Sequence, residues 1–247
     1  MFCTGSAIQS FIVSLDLLVF GPHPDDIEIG LGASVAKHAA MGLEVGLCDL
    51  TQGEMGSNGT VEDRRREADA AAKVLGVAWR ENLQWPDGGI TNAPEFIRSA
   101  VEFIRHWQPK TIAIPYWKDR HPDHVAASEV LTRAAFQSKL RRYDTRGEAW
   151  RPDWLCYYFI NDGDTPSFVV DVSDYYQKKR DALACFRTQF APAGEGAVQT
   201  RLTHDSFRQL VFSRDVQFGA QIGVPYAEGI VVREPVVRRS LQREESR

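Results

Sequence analysis

Six side chains in two short segments can carry chemistry: His23, Asp25 and Asp26 in Gly21-Pro22-His23-Pro24-Asp25-Asp26, and His121, Asp123 and His124 in Arg120-His121-Pro122-Asp123-His124. His23, Asp26 and His124 offer two nitrogen donors and one oxygen donor. A catalytic zinc takes three such ligands and keeps a fourth position for water, whose pKa then falls to about 7. The same set also accepts ferrous iron. Asp25 adjoins Asp26 on what reads as extended backbone, so its carboxylate points elsewhere and is free to accept the water's proton. His121 precedes His124 by three residues, with Pro122 stiffening the turn between them. Protonated, His121 would stabilise an oxyanion or protonate a leaving group, and Asp123 would orient it.

Either segment alone is weak, because His-Pro-Asp also serves plain turn chemistry. The weight comes from their shared setting. Leu15 to Phe20 and Thr111 to Tyr116 are strand-like apolar runs, and each leads directly into its His/Asp segment. In open α/β sheets, ligands bind beyond the carboxyl ends of strands near a topological switch point. The remaining histidines, His38, His106 and His204, lie in or beside expected helices and read as structural or surface residues.

The positioning elements follow from hydrophobic periodicity. Residues 15–20 read as a buried strand, 30–41 as a helix closed by Gly42, and 44–50 as a second strand, which makes a right-handed βαβ unit with parallel strands. Thr51 to Thr60 is a polar, glycine-rich loop. A helix over 61–75, a loop over 83–89, a helix over 94–107, the strand 111–116 and a helix from about 125 to 138 come next. Beyond these the pattern is less regular, with strands at 154–160 and 168–172, helices at 174–190 and 206–220, and a loop over 194–197. There is no internal repeat.

A chain of 247 residues with 43% hydrophobic content can bury a full core, and no Gly/Ser- or Pro-rich linker divides it. The expected organisation is a loosely ordered extension over 1–14, one α/β domain over 15–235, and a charged, frayed tail over 236–247. A net charge of −4 gives no footprint for nucleic acid. No apolar run approaches the roughly 20 residues of a membrane span, and residues 1–14 do not read as a signal peptide. Cys3, Cys48, Cys156 and Cys185 form no metal-finger or disulfide pattern, which fits a reducing cytoplasm. Gly30-Leu31-Gly32 invites a nucleotide-binding alternative. However, the dinucleotide fingerprint needs Gly or Ala where Val35 stands, and the two carboxylates would repel pyrophosphate.

The two segments, together with Cys48-Asp49-Leu50-Thr51, Ser57-Asn58-Gly59-Thr60, Arg64, Glu67, Asn82-Leu83, Pro86-Asp87, Pro115-Tyr116 and Tyr226-Ala227-Glu228-Gly229, resemble the PIG-L/LmbE-like family of zinc-dependent N-acetylglucosamine deacetylases. The resemblance covers roughly residues 15–235. It looks most like the bacillithiol-biosynthesis branch, which removes acetate from N-acetylglucosaminyl-malate. It departs at Pro22, where many members have Ala. The resemblance implies an α/β, Rossmann-like three-layer fold with a largely parallel central sheet and irregular C-terminal strands and helices. It implies His23, Asp26 and His124 as zinc ligands, Asp25 as general base, and His121 as the group stabilising the tetrahedral intermediate, with Asp123 behind it. Arg64 and Arg120 would face the substrate. Guanidinium binds carboxylates such as those of malate bidentately, and Glu67 would hold Arg64. Asn58 and Glu54 would bond sugar hydroxyls, and Tyr226 would close over the substrate. A homo-oligomer, trimer or hexamer, is also implied. Related deacetylases act on chitin oligosaccharides or on antibiotic precursors.

Overall fold

The structure is a computed structural model, and it describes residues 14–77, 79–237 and 240. Apolar runs in the first two thirds of the chain pair as parallel strands, each returning through a helix. In chain order these are β1 (Leu17–Gly21), α1 (Asp26–Ala40), β2 (Val45–Thr51), α2 (Val61–Leu75), β3 (Trp79–Trp85), α3 (Pro94–Trp107), β4 (Thr111–Pro115), α4 (Pro122–Gln137) and β5 (Trp154–Tyr158). Then come β6 (Phe168–Asp171), α5 (Tyr176–Cys185), α6 (Arg187–Phe190), α7 (Asp205–Ile222) and β7 (Ala227–Val231). The sheet order is β3-β2-β1-β4-β5-β7-β6, with β1 to β5 parallel and β7 antiparallel to both β5 and β6.

Side chains alternate across the sheet and build two cores. Leu18, Phe20, Leu50, Ile112 and Ile114 face α3 and α4, where Ile97, Ile104, Val130 and Leu131 meet them. Leu17, Val19, Leu47 and Ala113 face α1, α2 and α5, where Ile27, Leu31, Ala72 and Leu183 meet them. This is the three-layer, largely parallel fold that the resemblance implied.

Two strands are absent from the periodicity. β3 alternates poorly because Arg80 is buried by charge rather than by apolar contact. Its guanidinium bonds Asp49 at 2.7 Å through both Nε and Nη2, and Glu28 at 2.5 Å. β7 carries the fully buried Glu228, whose carboxylate accepts the Ala33 and Ser34 backbone N–H groups of α1 at 3.1 and 2.7 Å. Lys179 of α5 joins Glu228 at 2.8 Å to Asp215 of α7 at 2.6 Å. Arg214 bonds the carbonyls of Ile29 and Ile160.

Helix boundaries shift as well. α2 and α3 match the pattern, whereas α1 starts at Asp26 and α4 at Pro122, each inside its motif. The helix expected over 174–190 is divided at Phe186 (φ −81°, ψ 61°) into α5 and α6. Gly30 and Gly32 lie within α1 and serve close packing rather than a phosphate cradle: a Cβ on Gly30 would overlap the Tyr158 ring, and one on Gly32 would sit 3.1 Å from Lys179 Cγ. No described helix is long and apolar enough to cross a membrane. Of the expected N-terminal extension and its Cys3, residues 1–13 lie outside the described residues, while Ser14 bonds the Gln108 carbonyl. Most of the expected tail lies outside them too.

Candidate active site

The strand order diverges between β1 and β4. β2 and β3 build outward on one side and β5 on the other, so both motifs leave the sheet at the switch point. After β1 the chain turns sharply. Asp25 is not extended, as the sequence suggested; it caps α1 with φ 119°, a left-handed conformation, and makes no side-chain cap bond. Asp26 is then the first helical residue, so helix entry rather than strand alternation separates the two carboxylates. After β4, His121 caps α4 and Pro122 fills its first position, which places His124 in the first turn.

Three donor atoms converge. Asp26 Oδ2 lies 3.0 Å from His23 Nδ1 and 3.2 Å from His124 Nε2. Two imidazole nitrogens and one carboxylate oxygen suit a divalent transition ion, so the residues fit the implied metal. His121 adds a third ring, stacked on His124 at 4.7 Å. These groups line a cleft of about 530 Å³, together with Asp25 and Arg120.

The outward nitrogens of both histidines meet carboxylates. His23 Nε2 lies 3.1 Å from Asp87 and 3.3 Å from Asp123, and His124 Nδ1 lies 3.2 Å from Asp119. Burial opposes charging of His23, but Asp123, Asp26 and Asp87 outweigh it and hold its pKa well above the usual value. Burial likewise opposes charge on His124, yet Asp26 and Asp119 raise it to about 9. Burial would raise the Asp26 carboxyl, but the two histidines hold it far below the ordinary range. Asp25 behaves oppositely. Burial, only partly offset by Arg64, lifts it to about 7, and its Oδ2 is buried without a hydrogen bond.

His121 differs from expectation in charge. Its Nδ1 accepts the Asp123 backbone N–H at 3.2 Å, and burial, then the nearby His124 and His23 charges, lower its pKa. Both effects favour the neutral ring, and the bond accepted at Nδ1 leaves Nε2 to carry its proton. Asp123 does not sit behind His121 as a partner. Its carboxylate accepts the Gly88 N–H at 2.7 Å and backs His23 instead.

The residues expected to bind substrate separate. Arg120 lines the cleft and is exposed. Arg64 also lines it but is buried, bonds the Pro24 carbonyl and lies 3.5 Å from Asp25 Oδ2, so its guanidinium serves the carboxylate rather than a ligand. Glu67 does not hold it; that carboxylate accepts the N–H and hydroxyl of Thr188. Asn58 pairs with the Val198 backbone in both directions, and Glu54 accepts the Asp87 N–H, so both tether loops. Tyr226 stacks on Tyr176 at 3.7 Å outside the cleft. The sequence reading assigned no role to Asp119, Asp87 or Arg201. Asp87 stands in the expected 83–89 loop and in the Pro86-Asp87 pair of the resemblance, but nothing in the spacing of Asp119 or Arg201 marks them.

Residues 18–135 match the PIG-L family, described as GlcNAc-PI de-N-acetylase. The conserved protein TT1542 from Thermus thermophilus superposes with a TM-score of 0.85 at 36% identity, covering 93% of this chain and 100% of that one. The 1D-myo-inositol 2-acetamido-2-deoxy-alpha-D-glucopyranoside deacetylase 2 of Catenulispora acidiphila is 27% identical over 72% of this chain and 81% of its own length. GalB, a 4-carboxy-2-hydroxymuconate hydratase from Pseudomonas putida KT2440, shares the fold with a TM-score of 0.75 at 22% identity, covering 92% of this chain and 99% of that one. With the family match and the full-length likeness to TT1542 falling on a chain that carries both histidine–aspartate motifs at one switch point, the chain belongs to the PIG-L family.

Proposed function

We propose that this protein is a metal-dependent hydrolase that removes acetate from an N-acetylglucosamine conjugate. One observation carries the reading: a buried carboxylate, Asp25, with an oxygen that accepts no hydrogen bond and a pKa lifted by burial to about 7, stands in the cleft beside the His23, Asp26 and His124 donors. A general base works best when its pKa lies near the working pH, and this carboxylate is tuned by burial for that task. The relatives and the family description supply the substrate class; a shared fold alone would not, since a hydratase uses it too.

His23, Asp26 and His124 would hold zinc or ferrous iron, which supplies carbonyl polarisation and an acidified water at neutral pH. The chain's own residues divide the remaining work. Asp25 takes a proton from the attacking water, and Arg64 keeps its charge tolerable once ionised. The neutral His121 donates from Nε2 to the oxygen that becomes negative as the amide carbon turns tetrahedral. Asp25 then returns the proton to the amide nitrogen, the C–N bond breaks, and acetate and the free amine separate.

The finer reading is N-acetylglucosaminyl-malate, as in bacillithiol biosynthesis. It is supported by two arginines that line the cleft, Arg120 and Arg201. Burial, and then the Arg120 charge, lower the Arg201 pKa, so a site of positive potential awaits an anionic aglycone, although Asp162 and Asp119 temper it. The test is acetate release by metal-stripped protein reloaded with one metal at a time. N-Acetylglucosaminyl-malate is compared with N-acetylglucosamine and diacetylchitobiose. Turnover of the malate conjugate well above the other two is the expected result. Release from none of them under any metal overturns the deacetylase reading. Equal or better rates without malate move the substrate to another N-acetylglucosamine derivative, such as a chitin oligosaccharide or an antibiotic or thiol precursor.

A further inference from the structure

We infer that Asp119 is the positioning residue that fixes the ring of His124 for metal binding and ties it to the far wall of the cleft. The inference rests on the reading of His124 as a metal ligand. Asp119 lies in the segment between β4 and α4, five residues before His124, and its side chain is only 3% exposed. Oδ1 faces His124 Nδ1 at 3.2 Å and accepts the His121 backbone N–H at 2.8 Å and the Asn161 Nδ2–H at 3.0 Å. Oδ2 accepts the Asn161 backbone N–H at 3.0 Å. One carboxylate therefore holds the motif's two histidines and the residue just beyond β5.

The geometry assigns it a role toward the metal, not merely toward the loop. A histidine that coordinates through one ring nitrogen must present it with the lone pair outward. A carboxylate at the other nitrogen enforces this by taking the N–H there. For His124 the outward nitrogen is Nδ1 and the inward one is Nε2, 3.2 Å from Asp26 Oδ2. A carboxylate also suits the task electrostatically, because its charge strengthens the imidazole as a donor to a cation. Asn161 cannot substitute: its amide nitrogen is 3.4 Å from His124 Nδ1 and brings only donors there.

The experiment measures zinc affinity by chelator competition on metal-stripped wild type, Asp119→Ala, Asp119→Asn and His124→Ala, with the Tm of each metal-free protein beside it. Asp119→Ala is expected to weaken zinc on the order of 10–100-fold, the usual effect of removing such a partner. Asp119→Asn keeps an acceptor at the Oδ1 position and is expected to recover part of that loss. It keeps the bond from the His121 backbone N–H and loses the one from the Asn161 backbone N–H, a smaller change than alanine makes, so it also serves if the alanine variant does not fold. Wild-type zinc affinity in Asp119→Asn and in folded Asp119→Ala overturns the inference, and a lowered Tm with unchanged affinity assigns a structural role instead. If His124→Ala itself binds zinc as tightly as wild type, the metal-ligand reading fails, and the inference fails with it.

Discussion

Replacing Asp25 by asparagine should stabilise the metal-free protein while abolishing turnover, and the gain should depend on pH. The carboxyl is 3% exposed, and its pKa rises from the ordinary 3.8 to about 7, chiefly through burial. Because the folded pKa is raised, the folded state keeps its proton at pH values where the unfolded chain has already released it. Folding stability therefore falls as pH climbs from about 4 to about 7 and levels off above that. At about 1.4 kcal/mol per tenfold change in acidity, the full cost of ionised Asp25 is roughly 4 kcal/mol. Asparagine has nearly the same shape, tolerates the left-handed φ of 119°, and carries no charge. Urea unfolding of both proteins in excess chelator at pH 5 and pH 8.5 is the assay. Asp25→Asn should be more stable by about 2–4 kcal/mol at pH 8.5, with a clearly smaller gain at pH 5. An equal gain at both pH values, or a loss at pH 8.5, would refute the claim that this carboxylate is held ionised at a cost.

Arg201→Ala should raise KM about tenfold for an anionic conjugate, as loss of one charge-assisted contact does, and leave KM for neutral N-acetylglucosamine unchanged; steady-state kinetics on both substrates checks it. Lys179→Met leaves Asp215 and Glu228 buried without their shared cation. It should cost about 3–5 kcal/mol in urea unfolding, and a loss under about 1 kcal/mol would contradict that. Gly30→Ala drives a methyl into the Tyr158 ring and the Phe159 carbonyl. It should destabilise by about 1–3 kcal/mol, read as a lowered Tm.

Much of the frame was legible in the sequence because apolar spacing reports burial directly. The βαβ start, α2 and α3 follow from it, and the proposed metal donors follow from residue type and position after two strand-like runs. Where burial is achieved by charge, the same signal fails. Arg80 and Glu228 sit inside strands that the pattern could not show, because their neutralising partners lie 31 or more residues away in sequence. The conformation of Asp25 was equally hidden, since the turn that imposes it is set by how β1 meets α1. Polar residues in the glycine-rich loop illustrate a third limit. Asn58 and Glu54 looked available to a sugar, yet each satisfies backbone groups of another loop. Of the two arginines near the motifs, Arg64 is engaged with Asp25 and Arg120 is not, a distinction that depends wholly on tertiary placement.

The Glu228 carboxylate inserted into α1 bears on what counts as the smallest working unit. The family match ends at residue 135, and every proposed metal donor lies within it. Yet the helix that begins with Asp26 is gripped at Ala33 and Ser34 by a residue of the last strand, braced by Lys179 and by Asp215. A fragment ending near 135 would retain all the proposed ligands and lose the clamp that holds the helix of Asp26 in place. The C-terminal third is thus part of the proposed metal site's foundation, and swapping it between relatives would succeed only when the helix, the strand and their shared charges travel together.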